Sequence, residues 1–136
     1  MVEAMPRGRL LVVDDEPGMR SFLAWRLRAR GLEVQLARDG QEALEQLERQ
    51  PFDLVIADVT MPRLDGLALL EAIKLRHPTT EVILMTGFST VEMAVNAMQL
   101  GAFNFLLKPF RLIVLLKAVD QALAQDHRRP QGRRIA

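Results

Sequence analysis

The sequence predicts an α/β fold: a doubly wound parallel sheet of five strands, flanked by five helices. Short apolar, β-branched runs alternate five times with longer segments whose apolar residues recur every three or four positions. The strand runs lack polar alternation, which is typical of a sheet covered by helices on both faces. With 136 residues, 49% of them hydrophobic, the chain suits one such domain with a buried core.

The first strand is the run Leu10–Val13, which stops abruptly at a pair of aspartates. Pro17 fits the first turn of the following helix, where its missing N–H leaves no helical hydrogen bond unmade. Gly31 suits the end of that helix. Glu33–Ala37 is predicted as the second strand, because its apolar residues alternate onto one face.

The second helix is predicted to open at Asp39, which forms a capping-box pattern with Glu42. Pro51 ends it, since proline cannot continue a helix. Leu54–Ala57 is predicted as a buried third strand. Like the first strand, it ends on a carboxylate, Asp58.

The third helix follows the turn signal Asp65-Gly66 and is broken by Pro78. Glu81–Thr86 is predicted as the fourth strand, because it is a short β-rich apolar run. These elements repeat the alternation of strand and helix seen in the first half of the chain.

The fourth helix is predicted to be capped by Ser89 or Thr90 and closed by Gly101. Phe103–Leu107 is predicted as the fifth strand. A last helix is predicted from about Phe110 to about Asp126. Residues 1–8 are expected to be an N-terminal extension, residues 9–126 the folded domain, and residues 127–136 a disordered tail or the start of a linker.

Composition excludes several kinds of function. The net charge is +1, from 18 basic and 17 acidic residues, which gives no support for binding nucleic acid through bulk charge. Without cysteine there is no thiolate metal site and no cysteine nucleophile, and two histidines, His77 and His127, cannot form a histidine-rich metal cluster. We expect a cytoplasmic protein, because the sequence shows neither a signal peptide nor an apolar run of membrane-spanning length.

Polar residues stand where the predicted strands end. Asp14 and Asp15 follow the first strand, Asp58 ends the third, Thr86 ends the fourth and Lys108 follows the fifth. Ligands of open parallel sheets bind at this edge. If the first, third, fourth and fifth strands are neighbours, these five side chains meet in one crevice. An isolated pair such as Asp14-Asp15 more often consists of ordinary solvated loop acids. The predicted crevice therefore depends on all five residues.

Such a crevice suits phosphoryl transfer. Carboxylates without histidine or cysteine favour Mg²⁺ or a similar hard ion. A lysine can pair with a carboxylate or a phosphoryl oxygen, and a threonine hydroxyl can donate to a phosphoryl oxygen. Together these groups supply a nucleophile, a metal site and positive charge for the transferred group.

The chain resembles the receiver domain of bacterial two-component response regulators. Four segments match in order, each at the end of a predicted strand, and the resemblance extends over about residues 9–126. It implies a flavodoxin-like receiver fold with strand order 2-1-3-4-5. The segments are Val12–Pro17, Asp58–Gly66, Met85–Gly87 and Leu107–Phe110.

The resemblance implies that Asp58 accepts a phosphoryl group from a sensor histidine kinase. It also implies a Mg²⁺ site in which Asp15 binds directly, Asp14 binds directly or through water, and Asp58 completes the acidic set. Thr60 would supply its backbone carbonyl to the metal.

The remaining roles concern the switch. By resemblance, Thr86 would turn toward the phosphoryl group, and Lys108 would pair with it, or with Asp58 before phosphorylation. The bond before Pro109 would be cis. Phe105 would be the switch aromatic, standing where tyrosine is more frequent, so its inward shift would depend on packing alone.

The resemblance implies a phosphorylation-dependent signalling switch, not an enzyme, although the domain would assist its own phosphorylation and slow dephosphorylation. The surface of the fourth helix, fifth strand and fifth helix would change to control an output partner or domain. We expect that surface to form a homodimer or partner interface, and we expect no contact with membrane or nucleic acid. Its apolar residues are Met93, Ala97 and Met98 in the fourth helix, and Leu112–Leu116, Ala118 and Val119 in the fifth.

Other functions remain open from the sequence: a stand-alone receiver, a pseudo-receiver acting as a constitutive interaction module, or a metal-dependent phosphatase. The complete acidic set disfavours the second. Thr60, in place of an acid near the nucleophile, disfavours the third. The segment Val82–Phe110 resembles receivers of nitrogen-regulation-type transcription activators, which carry ATPase and DNA-binding domains after the receiver.

Overall fold

The computed structural model describes residues 8–88 and 90–125. The strands are β1 (Arg9–Val13), β2 (Glu33–Ala37), β3 (Leu54–Asp58), β4 (Glu81–Thr86) and β5 (Asn104–Leu107). The helices are α1 (Pro17–Arg28), α2 (Gly40–Arg49), α3 (Gly66–Arg76), α4 (Val91–Gln99) and α5 (Leu112–Leu123). All strand pairs are parallel and the order is β2-β1-β3-β4-β5, so the predicted fold is confirmed.

The core lies on both faces of the sheet, because successive strand residues point to opposite sides. Leu11 of β1 and Val55 of β3 pack against α2, α3 and α4, and Leu10 and Leu54 pack against α1 and α5. All four side chains are fully buried. Helices on both sides explain why the strand runs show no polar alternation.

Side chains cap three of the helices. Asp39 accepts a hydrogen bond from the amide of Glu42 at 2.9 Å, as predicted, but the Glu42 carboxylate accepts from the amide of Arg38 instead of completing the box. Asp65 caps α3, and Thr90 caps α4. Ser89, the other candidate cap of α4, lies outside the described residues.

Several predicted element starts were wrong by one or two residues, including that of β1, which begins at Arg9 instead of Leu10. β5 begins at Asn104, one residue after the predicted Phe103. The last helix begins at Leu112 instead of Phe110, because Arg111 has extended backbone angles and so stands before the first helical turn. It ends at Leu123, and Asp126 lies outside the described residues.

The apolar surface predicted on the last helix is narrower than the sequence suggested. Leu115, Ala118 and Val119 are buried against the sheet, and so is Ala97 of α4, so these residues belong to the core. We call the exposed apolar side chains of these three elements the α4–β5–α5 surface. They are Val91, Val95 and Met98 of α4, Leu107 of β5, and Ile113 and Val114 of α5.

The predicted extension at residues 1–8 and the predicted tail at residues 127–136 fall almost wholly outside the described residues, so these domain boundaries stay predictions. Within residues 8–88 and 90–125, no helix is long and apolar enough to cross a membrane.

Candidate functional site

Three aspartates meet at the carboxyl edge of the sheet. β1 and β3 are parallel neighbours, with Val13 opposite Ala57, so the residues that follow on each strand come side by side. Carboxylate oxygens of Asp14, Asp15 and Asp58 lie within 4.8 Å of one another. Asp14 and Asp58 are buried, whereas Asp15 is exposed. The predicted acidic set is therefore one cluster with one side open to solvent.

Backbone contacts fix the buried acid of the β1–α1 loop. The carboxylate of Asp14 accepts from the amide of Glu16 at 2.9 Å, and its own amide donates to the carbonyl of Ala37 at 3.1 Å. Arg20 of α1 donates from Nη1 to the carbonyl oxygen of Asp14 at 2.7 Å. Arg20 was not predicted to belong to the site. Its position one turn into the helix after the acid pair is the only sequence signal for this contact.

Lys108 reaches across the sheet edge into the acidic cluster. Its Nζ lies 2.9 Å from Oδ2 of Asp58 and 3.4 Å from Oδ2 of Asp14. The amide of Lys108 donates to the carbonyl of Thr86 at 2.7 Å, and the Lys108–Pro109 bond is cis. One ammonium group therefore contacts two of the three carboxylates.

Burial and charge act differently on the two ends of this contact. Burial raises the pKa of Asp14 above its ordinary value, outweighing the amide of Glu16 and the ammonium of Lys108. Burial alone would lower the pKa of Lys108, but the hydrogen bond that Lys108 donates to Asp58 and the charges of both acids outweigh it and raise that pKa. Lys108 is therefore a cation at neutral pH.

Thr86 and Phe105 lie beside the cluster. Thr86 ends β4 and is fully buried. Its hydroxyl donates to the carbonyl of Phe88 at 2.8 Å and accepts from the amide of Phe88 at 3.1 Å. Phe105 is half-buried in β5 opposite Leu84 and packs against the core beneath α4. In this structure the Thr86 hydroxyl is thus engaged with its own loop.

The β3–α3 loop carries Thr60, which is exposed. The Thr60 amide donates to Oδ1 of Asp58 at 3.1 Å. At the end of the loop, Gly66 approaches the backbone of β3 so closely that a Cβ would lie 2.5 Å from the carbonyl oxygen of Asp58. Glycine is therefore required at this point for the loop to return to the sheet.

The donor set fits Mg²⁺. Asp14, Asp15 and Asp58 offer oxygen atoms only, and one lysine contacts the cluster, so negative charge is left over for a hard cation. Magnesium is commonly bound in proteins by one or two carboxylates together with substrate phosphates. The exposed side of the cluster leaves room for such a group.

Comparison with known proteins assigns the family. The family model described as the response regulator receiver domain matches residues 10–120. The chain belongs to this family. Receivers are regulatory phospho-acceptors of two-component signalling, so the predicted family and the phosphorylation-dependent signalling function are confirmed.

The curated relatives of the receiver include transcription regulators. It is 43% identical over 118 residues to the transcriptional regulatory protein ZraR of Escherichia coli K12, covering 87% of this chain and 27% of ZraR. It is 40% identical over 131 residues to the DNA-binding transcriptional regulator NtrC of the same strain, covering 96% of this chain and 28% of NtrC. The chain thus spans under a third of these relatives.

Solved structures confirm the fold. The receiver domain of NtrX from Brucella abortus superposes with a TM-score of 0.81 at 38% identity, covering 86% of this chain and 99% of that one. The chemotaxis protein CheY4 of Vibrio cholerae gives 0.79 at 31% identity, covering 88% and 99%. Both of these chains are matched over nearly their whole length.

Proposed function

We propose that Asp58 accepts a phosphoryl group from the phosphohistidine of a sensor histidine kinase, with Mg²⁺ bound at the acidic cluster. Asp14, Asp15 and Asp58 would hold the ion together with the backbone carbonyl of Thr60. The observation that carries the proposal is the 2.9 Å contact between Lys108 and the Asp58 carboxylate inside a cluster of three acids.

Exposure favours Asp58 over Asp14 as the acceptor, and the contact with Lys108 favours Asp58 over the exposed Asp15. Asp14 is fully buried, so a phosphodonor has no approach to it, whereas Asp58 keeps 8% of its surface exposed. Asp58 also stands at the end of β3, between β1, which Asp14 follows, and β4, which Thr86 ends. A phosphoryl group on Asp58 would therefore lie within reach of groups from both sides.

The chemistry follows from these positions. A carboxylate oxygen of Asp58 attacks the phosphorus, the P–N bond of the phosphohistidine breaks, and its electron pair returns to the imidazole. Magnesium, when bound, neutralises charge on the phosphoryl oxygens. Lys108 stays close to Asp58 and pairs with a phosphoryl oxygen of the product. The receiver thus assists its own phosphorylation by positioning and charge, without a general base.

An apolar groove beside the cluster supports docking of the kinase. It has a volume of about 590 Å³ and opens next to Lys108. Phe22 of α1, part of its wall, is 45% exposed. A helix of the kinase that carries the phosphohistidine would bury this apolar surface while presenting the donor to Asp58. The other lining residues include Met19, Leu23, Pro109, Phe110 and Leu112.

Phosphorylation would then move the switch residues. The Thr86 hydroxyl would leave the backbone of Phe88 and donate to the phosphoryl group, which adds strong acceptor oxygens next to it. Phe105 would turn into the space that Thr86 vacates, driven by packing because it has no hydroxyl. The α4–β5–α5 surface would change as a result.

The exposed apolar residues of the α4–β5–α5 surface support a homodimer or an output-domain interface there. Because the relatives include transcription regulators, we propose that the output is control of transcription by a longer protein. Dephosphorylation is proposed to be slow, since Thr60 stands two residues after Asp58, where an acid could otherwise activate water.

The test is labelling with acetyl phosphate in the presence of Mg²⁺, read by intact-protein mass spectrometry. Wild type is expected to take one label and Asp58→Asn none. Asp53→Asn is the matched control, because Asp53 is an exposed aspartate immediately before the same strand, at its opposite end. The proposal is wrong if Asp58→Asn is labelled as fully as wild type.

A further inference from the structure

We propose that Arg63 is a positioning residue of the metal site, acting through Asp39 to fix the loop that presents the Thr60 carbonyl. The inference rests on the function proposed above and adds a residue pair outside the acidic cluster. Neither residue contacts the three aspartates in the contacts described for the cluster. The pair joins the β3–α3 loop to the turn between β2 and α2.

The β3–α3 loop is fixed at its two ends. At its start, the amide of Val59 donates to the carbonyl of Met85 at 2.8 Å. At its end, the amide of Gly66 donates back to the carbonyl of Val59 at 2.9 Å. Thr60 lies inside the closed loop, so the direction of its carbonyl depends on what holds the residues between these ends.

The far side of the loop has an unusual backbone. Arg63 has a φ of 69°, in the left-handed region that favours glycine. The amide of Leu64 donates to the carbonyl of Pro62 at 2.8 Å, closing a three-residue turn around Arg63. Three-residue turns with a positive φ at the centre are rare and strained. A side-chain contact that holds Arg63 in place would therefore stabilise this strained backbone conformation.

That contact is made by Asp39. Nε and Nη2 of Arg63 lie 3.0 and 2.7 Å from Oδ2 of Asp39. Asp39 is buried, and its Oδ1 accepts from the amide of Glu42 and caps α2. Burial would raise the pKa of Asp39, but the Glu42 amide and the Arg63 guanidinium outweigh it and lower that pKa. The carboxylate is therefore charged at neutral pH.

A second close approach lies next to the Asp39–Arg63 contact. A Cβ at Gly40 would lie 2.5 Å from the carbonyl oxygen of Leu64. The two loops thus meet at adjacent residues on both sides, Asp39 with Arg63 and Gly40 with Leu64. Two neighbouring contacts fix both the position and the tilt of the β3–α3 loop, and Thr60 lies three residues away along that loop.

The test measures metal affinity directly, by titrating Mn²⁺ and following the free ion by electron paramagnetic resonance without any phosphodonor. Arg63→Ala is expected to weaken binding roughly tenfold, the low end for residues that orient metal ligands. Arg63→Gly, which tolerates the positive φ but lacks the guanidinium, should also weaken binding. Arg63→Lys should lie between Arg63→Ala and wild type, because it keeps the charge without the planar fork.

The matched control is Arg38→Ala. Arg38 stands next to Asp39 and so places a charge like that of Arg63 at the same turn. Its side chain pairs with Glu42 at 3.2 Å, four residues along the chain, and does not join the turn to the β3–α3 loop. Arg38→Ala should bind Mn²⁺ as wild type does. Asp39→Asn keeps a cap acceptor and should match Arg63→Ala, and the double variant should be no weaker than either single one.

A second readout separates positioning from general damage. The rate of labelling by acetyl phosphate is measured against Mg²⁺ concentration. Arg63→Ala should raise the concentration for half-maximal rate and leave the plateau rate unchanged, since Asp58 and Lys108 are untouched. Thermal unfolding checks that each variant is folded. If Arg63→Ala is unfolded, the measurements on Arg63→Gly decide the result.

The outcomes are distinct. If wild type binds no Mn²⁺ and takes no label, the proposed function fails. If wild type binds and is labelled, but the Arg63 variants bind Mn²⁺ equally well, the positioning role is overturned and the proposed function stands. A lowered plateau rate at an unchanged half-maximal concentration would likewise overturn the positioning role.

Discussion

The two ends of the sheet both carry acids and bases, but they use them differently. At the amino end each acid has its own partner: Arg9 pairs with Glu33 at 3.3 Å, the amide of Arg9 donates to Asp53 at 2.8 Å, and Lys74 lies 3.8 Å from Glu81. At the carboxyl end three aspartates lie together, and two of them, Asp14 and Asp58, contact the same lysine. Each acid has a separate donor at one end, whereas at the other the acids crowd together and negative charge is left in excess.

This difference shows that the functional end of the sheet is the less stable arrangement of charge. A buried acid with its own partner is close to neutral in its effect on folding, whereas crowded acids repel one another and raise the cost of burial. The carboxyl end gains a binding site for a cation and a phosphoryl group in return.

The largest effect is expected from Lys108→Met. Removing the cation leaves buried acids uncompensated, so the free energy of unfolding should fall by about 3 kcal/mol. Lys74→Met at the amino end should also destabilise, because Glu81 is fully buried. Millimolar Mg²⁺ should restore much of the loss in Lys108→Met and none in Lys74→Met, as measured by urea unfolding. Equal responses to Mg²⁺ would contradict the contrast between the two ends.

Gly66→Ala should have the next largest effect on the free energy of unfolding. Its Cβ would lie 2.5 Å from the carbonyl oxygen of Asp58, and the backbone there cannot give way easily, so a loss of about 2 kcal/mol is expected. Gly18→Ala is the control: Gly18 lies in α1 with nothing within 4 Å of its Cβ, and alanine should stabilise that helix slightly. Matching losses in the two variants would show that the β3–α3 loop is not tightly packed.

A smaller effect of opposite sign is expected from Asp14→Asn. Asparagine keeps the acceptor for the Glu16 amide and removes one buried charge, so metal-free stability should rise by about 1 kcal/mol while stabilisation by Mg²⁺ is lost. The raised pKa of Asp14 means that the folded state binds this proton more tightly than the unfolded state. The advantage of asparagine should therefore be present at neutral pH and shrink as pH falls through the folded-state pKa.

Thermal unfolding over a pH series checks this prediction, with Asp53→Asn as the matched variant at the amino end. Asp53 is exposed and accepts from the amide of Arg9, so its replacement should not stabilise the protein. A constant advantage of Asp14→Asn down to acid pH would rule out burial of the charged form as its cause.

The sequence was most informative where a strand ends in a charge. An apolar run that stops at Asp14 or Asp58 indicates both the strand and the edge at which it ends, because a buried run cannot continue through a carboxylate. The parallel alternation then brings such ends together. The fold and the meeting of the acids with Lys108 were predictable for that reason.

Side-chain contacts that join a loop of the site to another segment were not predictable. Arg20 bonds a backbone carbonyl of the acidic loop, and Arg63 bonds Asp39 24 residues away, yet in sequence both look like ordinary surface arginines. The width of the apolar surface was also misjudged. Leu115 and Ile113 are both apolar in the sequence. Which of them faces the sheet depends on how α5 is rotated about its axis, and packing decides that rotation.

The central claim is that three acids share one pocket and Asp58 alone becomes phosphorylated. The most direct measurement treats the receiver with acetyl phosphate and Mg²⁺, reduces the acyl phosphate with borohydride, and locates the modified residue by peptide mass spectrometry. Modification at position 58, and at no other aspartate, is the predicted result. Modification at Asp14 or Asp15 in place of Asp58 would contradict the account.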